Sequence, residues 1–314
     1  MTAGERVPRL ADRRRALRHG LTVVCLAILA YYVYHYRADF RSALVRLDLA
    51  ATAVAMLTIA LQILTRAGRD RILYRSMGSD VPLGVVHSIN VRQNLLNYLP
   101  MKAGTIYAAA ELKTSHGVGL GRYAAAFAAQ SAFTLATTLL LAGIAVWLDE
   151  PGAHPVAAAV LALAGLLTLL VLTVRVPDRF PLPRRLRTGV ETVHEGMDLL
   201  LRERRGLAAA ALLSVAAVLL SAWRFQVLVA AGWGPVEYWD GLAFAVGAQA
   251  SLFVGLTPAG IGVREAVVGG VASLLELPAT AGVFASAMDR VLVLAYCGAM
   301  ALLHAVVPAR HGAR

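Results

Sequence analysis

The chain has 314 residues, 58% of them hydrophobic, and a formal net charge of +11. A soluble domain is about 45–50% apolar; here the excess is gathered in blocks such as 123–148, 155–174 and 207–231, each close to the roughly 20 residues that carry a helix across a hydrocarbon core about 30 Å thick. A soluble fold is excluded, and because the charges sit mostly in tails and between apolar blocks, the basic balance points to cytoplasmic loops of a membrane protein and not to nucleic acid.

Arg13, Arg14, Arg15 and Arg18 precede the first apolar segment, 20–36, which ends in Tyr31, Tyr32, Tyr34 and Tyr36. With no small-residue cleavage site, it reads as an uncleaved span with an interfacial aromatic belt. Seven further apolar segments follow, at about 49–64, 81–101, 122–148, 154–174, 207–231, 239–276 and 279–307. Two are not plain spans. Segment 81–101 carries Asn90, Arg92, Gln93, Asn94 and Asn97 and ends at Pro100. Segment 239–276 is broken by Thr257-Pro258-Ala259-Gly260-Ile261-Gly262, and its second part begins Val263-Arg264-Glu265. Cys25 and Cys297 lie in separate apolar blocks, which argues against a disulfide framework or a metal site.

Loop charge fixes the expected topology. The tail 1–19 holds six Arg against two acids, loop 65–80 four Arg and two Asp, and linker 175–206 eight Arg and five acids. All three fall on the cytoplasmic side, with Asp149 and Glu150 outside, only if 81–101 dips in and returns to the same face. The same treatment of 239–276 puts the C-terminal tail, with Arg310 and Arg314, inside as well. The expected fold is therefore an all-α polytopic membrane protein of about six full transmembrane helices plus two re-entrant broken-helix segments, located in the cell membrane with both termini cytoplasmic.

A shift of 158 residues lays Pro100 on Pro258, Gly104 on Gly262 and Arg66 on Arg224. The expected organisation is a basic tail at 1–19, one membrane domain at 20–307 and a short tail at 308–314. Within the domain, repeat 1 covers about 49–148 and repeat 2 about 207–307, in opposite orientations, joined by the cytoplasmic linker 175–206. In the linker Leu186, Val190, Val193, Met197 and Leu200 recur at helical spacing among Arg185, Arg187 and Glu191, as in a basic helix lying on the inner leaflet or a solvated linker helix. Opposed repeats with interrupted helices are a transporter design with its site near the midplane.

Charges at membrane depth are costly, about 2.5–3.5 kcal/mol on insertion scales. Arg224, Arg264, Glu265, Asp289 and Arg290 all stand within or beside apolar segments. Asp289 and Arg290 are adjacent on one helix, so they point about 100° apart and each needs a partner elsewhere. The expected pairs are Arg290 with Glu265, and Asp289 with Arg264 or Arg224, as register-fixing ion pairs or as the lining of a polar path. The break from Pro258 to Gly262 would aim a helix N-terminus into the membrane, an anion site that Arg264 reinforces. Pro100, Lys102 and Gly104 offer a similar geometry in the first half. No cofactor is expected, and no base is placed to activate a serine, so the chain does not read as an enzyme.

Two stretches carry a resemblance. Asn94-Leu95-Leu96-Asn97-Tyr98-Leu99-Pro100-Met101-Lys102-Ala103-Gly104 is similar to an Asn-rich helix followed by Pro-x-basic-x-Gly, and Thr257-Pro258-Ala259-Gly260-Ile261-Gly262-Val263-Arg264-Glu265 is similar to Pro-Gly-Gly-x-Gly-x-Arg-Glu. With the late span bearing Arg290, they make residues 45–307 resemble the lysylphosphatidylglycerol synthase transmembrane region, or flippase-like domain. Three departures stand out: Ala259 replaces the usual first glycine, Thr105 an acidic residue, and Gln130-Ser131 a Glu-Arg pair. The resemblance implies movement between leaflets of a charged-headgroup lipid, an aminoacylated phospholipid or a polyprenyl-phosphate-linked lipid, without the soluble aminoacyl-transferase domain. Asn94, Asn97, Lys102, Gly104, Pro258, Gly260, Gly262, Arg264 and Glu265 are the expected headgroup residues, and Arg224, Asp289 and Arg290 an intramembrane charge network. The expected partners are membrane lipids. The alternative is a non-catalytic membrane partner of a lipid or cell-envelope glycan biosynthetic enzyme, tethered through 175–206.

Overall fold

The computed structural model describes residues 30, 31, 33–76, 78–98, 103–149, 155–173, 187, 191, 198, 204–254 and 260–306. Tail 1–19, nearly all of segment 20–36, most of linker 175–206, tail 308–314 and, among the expected site residues, Lys102 and Pro258 lie outside the described residues.

The described residues are helical, with no strand among them. We number the helices α1 (Arg37–Arg46), α2 (Leu49–Ser76), α3 (Leu83–Leu96), α4 (Ala103–His116), α5 (Leu120–Asp149), α6 (Pro155–Thr173), α7 (Arg204–Trp233), α8 (Tyr238–Val254), α9 (Val263–Leu274) and α10 (Ala279–Val306). Among the described residues, four stretches are long and apolar enough to cross a bilayer: Leu49–Ser76, Leu120–Leu148, Ala208–Trp233 and Ala279–His304. Their outward faces carry exposed leucines and valines such as Leu212, Leu219, Leu302 and Leu303, while Arg224, Glu265, Asp289 and Arg290 are buried. Apolar outside and charged inside is an arrangement only a lipid solvent favours.

The order long, short, short, long occurs twice, as α2–α5 and as α7–α10. The packing follows the same exchange. α2 lies along α7; α3 packs on α10 of the other half, and α8 packs on α5. Two contacts break the correspondence: α7 packs on α10 with no equally extensive contact between α2 and α5, and α9 packs far more extensively on α10 than α4 does on α5. One continuous apolar core joins the halves, with Ile59, Ile63 and Val91 from the first and Phe225, Leu228, Phe244 and Val268 from the second. α1 closes one flank, setting Ala43 and Phe40 against α7 and Phe284.

Two expectations from the sequence need correction. Residues 65–76 are not loop. Helix α2 runs on to Ser76, where Gly78 at φ 82° ends it, with Gly78 N–H bonded to Arg75 C=O and Ser79 N–H to Tyr74 C=O. That is a left-handed glycine stop satisfying the last carbonyls. Arg is a good helix former, so the apolar run ends at Leu64 while the helix does not. Nor is the first broken segment confined to 81–101: a return helix, α4, follows it. The sequence of α4 is rich in Ala, with Glu and Lys, strong helix formers, but its polar residues interrupt the apolar run and hide it from a hydropathy reading.

Candidate functional site

The second break is built on two left-handed glycines, Gly260 at φ 68° and Gly262 at φ 82°, a conformation other residues adopt only at a cost. Helix α9 starts at once after them. Glu265, in its first turn, reaches back so that the Gly262 N–H donates to its Oε2 at 2.7 Å. The amide expected to greet an anion is thus already occupied by the chain's own carboxylate. The other oxygen, Oε1, accepts from Arg290 Nε at 2.6 Å and from Ser286 Oγ at 3.3 Å. Arg290 also donates to the Gly260 carbonyl at 3.0 Å.

One residue earlier on α10, Asp289 is 2% exposed and paired with two guanidiniums, those of Arg224 on α7 and Arg264 on α9. Both expected pairings are present, Arg264 and Arg224 sharing the one carboxylate. Arg224 further donates to Gln62 Oε1 on α2 at 3.0 Å, and Gln62 Nε2 donates to the Ala217 carbonyl of α7 at 3.0 Å. Arg264 lies over the Phe225 ring, 5.7 Å from its centroid. Its Nε is buried with no hydrogen-bond partner among the described residues.

The first hairpin meets this network at Tyr98, just past the end of α3, whose side chain lies near enough to Arg290 to interact with it. The tips of both hairpins therefore converge on one guanidinium. Other expected residues of this half divide by role. Gly104 is a packing residue: a β-carbon there would stand 2.0 Å from the Gln93 carbonyl and 2.7 Å from Asn97 Oδ1, so only glycine lets α4 start so close to α3. Asn97 Oδ1 is buried with no hydrogen-bond partner among the described residues. Asn94 is half-buried on α3 and is not drawn into the ion-pair network.

A second polar centre was not expected. Asp70 on α2, counted as loop in the sequence, is 9% exposed. Its carboxylate accepts from Asn90 of α3 at 2.9 Å, from Gln130 of α5 at 3.0 Å and from Arg69 at 3.3 Å. The signal was the group of amides at Asn90 and Gln130, which only a knowledge of neighbouring helices joins to Asp70. The serines of the long helices cap carbonyls one turn back, as Ser131 does to Phe127 and Ser214 to Ala210; the hydroxyl of Ser221 instead accepts from Arg224 at 3.4 Å.

Among the described residues, two pairs of short helices flank a buried ion-pair network inside a shell of apolar helices. No match was found among curated proteins. The family comparison matches residues 19–300, nearly the whole chain, to the lysylphosphatidylglycerol synthase TM region. The chain is a membrane protein that belongs to this family.

Proposed function

We propose that this protein is a lipid translocase that moves a charged-headgroup lipid, an aminoacylated phospholipid or a polyprenyl-phosphate-linked lipid, between leaflets of the cell membrane. The observation that carries the reading is the meeting of both hairpin tips at Arg290, through Tyr98 on one side and the Gly260 carbonyl on the other. Irregular backbone at membrane depth survives only inside protein or beside a polar cavity, and two such breaks facing one cationic cluster make a headgroup station. Arg264 is its reading residue, because Asp289 uses only part of its guanidinium and its Nε has no acceptor. Gly260 and Gly262 shape the cradle, and Glu265 holds Arg290 and the start of α9 in register. Lys102, Asn94 and Asn97 serve the facing side. The repeated helix order, with α3 against α10 and α8 against α5, supports alternating access by rocking of one half on the other.

The test is transbilayer movement of a fluorescent headgroup-labelled lipid in reconstituted vesicles. Arg264→Ala leaves Asp289 paired with Arg224, so folding should persist while the rate falls by a factor of about ten or more, the worth of one charge-assisted hydrogen bond. Equal rates for wild type and variant would remove Arg264 from the lipid path.

A further inference from the structure

Arg66 belongs to a stretch the sequence reading counted as cytoplasmic loop, yet it stands on α2, half-buried, one turn from both Gln62 and Asp70. The charges that act on it are Arg69 and Arg224, which repel it, and Asp70 and Asp289, which attract it. On α2 it stands one turn after Gln62, which bonds Arg224, and one turn before Asp70, and so between the two polar centres. Every acid there is taken: Asp70 by Arg69 at 3.3 Å, Asp289 by Arg224 and Arg264, and Glu265 by Arg290 at 2.6 Å. Arg66 itself has no carboxylate within ion-pair distance among the described residues. Across the two polar centres the described residues of α2, α7, α9 and α10 place five guanidiniums (Arg66, Arg69, Arg224, Arg264, Arg290) with three carboxylates (Asp70, Glu265, Asp289), a surplus of two positive charges.

A surplus of this kind, buried or half-buried among apolar helices, is unfavourable until an anion offsets it. It also decides between headgroups. An ammonium would enter a field that is already positive and find three carboxylates each held by a guanidinium. A phosphate monoester brings about 1.5–2 negative charges and three acceptor oxygens, and a diphosphate brings more. We infer that the site takes a lipid whose headgroup is a phosphate monoester or diphosphate with no compensating ammonium, and that Arg66 is one of its phosphate ligands, with the unpartnered Nε of Arg264 as a second donor. The lipid part of this inference rests on the translocase reading above; the charge part rests on the ion-pair count alone.

Binding would be measured on the full chain in phosphatidylcholine nanodiscs, with farnesyl diphosphate, lysyl-phosphatidylglycerol and inorganic pyrophosphate as probes. The prenyl diphosphate should bind at least about tenfold tighter than the aminoacylated lipid. Arg66→Gln should weaken it about tenfold, one charge-assisted contact, and Arg66→Lys should restore most of that loss. Because Arg66→Gln removes a surplus charge, it should not lower thermal stability. Equal or tighter binding of lysyl-phosphatidylglycerol, or unchanged diphosphate binding in Arg66→Gln, would overturn the inference and leave the translocase reading standing. Pyrophosphate competing as strongly as the prenyl lipid would uphold the charge match and overturn the lipid reading. Failure of both lipids to bind would overturn both.

Discussion

Asp289 carries more electrostatic weight than any other acid in the interior, since two guanidiniums depend on it. Asp289→Asn keeps the volume and removes the charge, leaving Arg224 and Arg264 buried against each other. Breaking a buried pair by removing one partner costs about 3–5 kcal/mol, so the variant should unfold at a clearly lower temperature in detergent. Glu265→Gln should also destabilise, because a single amide oxygen replaces only one of the two carboxylate oxygens: where it accepts from the Gly262 N–H, the amide NH2 faces the donors of Arg290 and Ser286. Unfolding of Asp289→Asn at the wild-type temperature would show that the pairs are not structural. At this scale the sequence was informative where geometry is local. The 100° between neighbours on a helix forces Asp289 and Arg290 to separate partners, and those partners followed. Gln62 was invisible for the opposite reason. Its contacts to Arg224 and the Ala217 carbonyl join α2 to α7, and one amide in an apolar helix does not announce which helix it will meet.

The two hairpins show how far periodicity reaches at the level of elements. Of the second break, the described end was legible, because glycines at 260 and 262 and the restart at Val263 are strong punctuation. Of the first hairpin only the entering helix and the break were legible. The return helix α4 passed for a loop since it has no sustained apolar face, its burial resting on Gly104, Ala108 and Leu112. Helices α3 and α4 have 14 residues each, about 21 Å, too short to cross a core of about 30 Å alone. A re-entrant pair returns the end of α4 to the face from which α3 began. In a chain lacking Cys25 and Cys297, an impermeant maleimide should therefore reach Thr114→Cys from the same side as Gly196→Cys, and Gly152→Cys and Pro278→Cys from the opposite side. Labelling of Thr114→Cys from the side of Gly152→Cys would make the pair one kinked span and remove the opposed orientation of the two halves.

For the whole molecule, composition settled the membrane class, but which helices move together depends on contacts that no apolar pattern encodes. Helices α7, α9 and α10 are tied by Arg224, Arg264, Glu265, Asp289 and Arg290, and Gln62 joins α2 to them. The ion-paired helices α7, α9 and α10 should behave as one body, with the Gln62 bridge from α2 as the pivot on which the other half rocks. The first hairpin touches it by softer contacts: His87 of α3 meets the Tyr296 hydroxyl at 3.4 Å and the His304 ring, 5.6 Å between centroids, both on α10. Weak polar and ring contacts can be remade at small cost, unlike a buried ion pair. If transport is a rocking of halves, the α3–α10 seam must slide in each cycle. His87→Cys with Tyr296→Cys, joined by a short bifunctional thiol reagent, should then stop lipid movement in reconstituted vesicles while the lipid still binds. A cleavable reagent should give the activity back on reduction. Undiminished movement in the cross-linked protein would mean that this seam is static, and the moving boundary would have to be sought between α8 and α5, its counterpart in the other half.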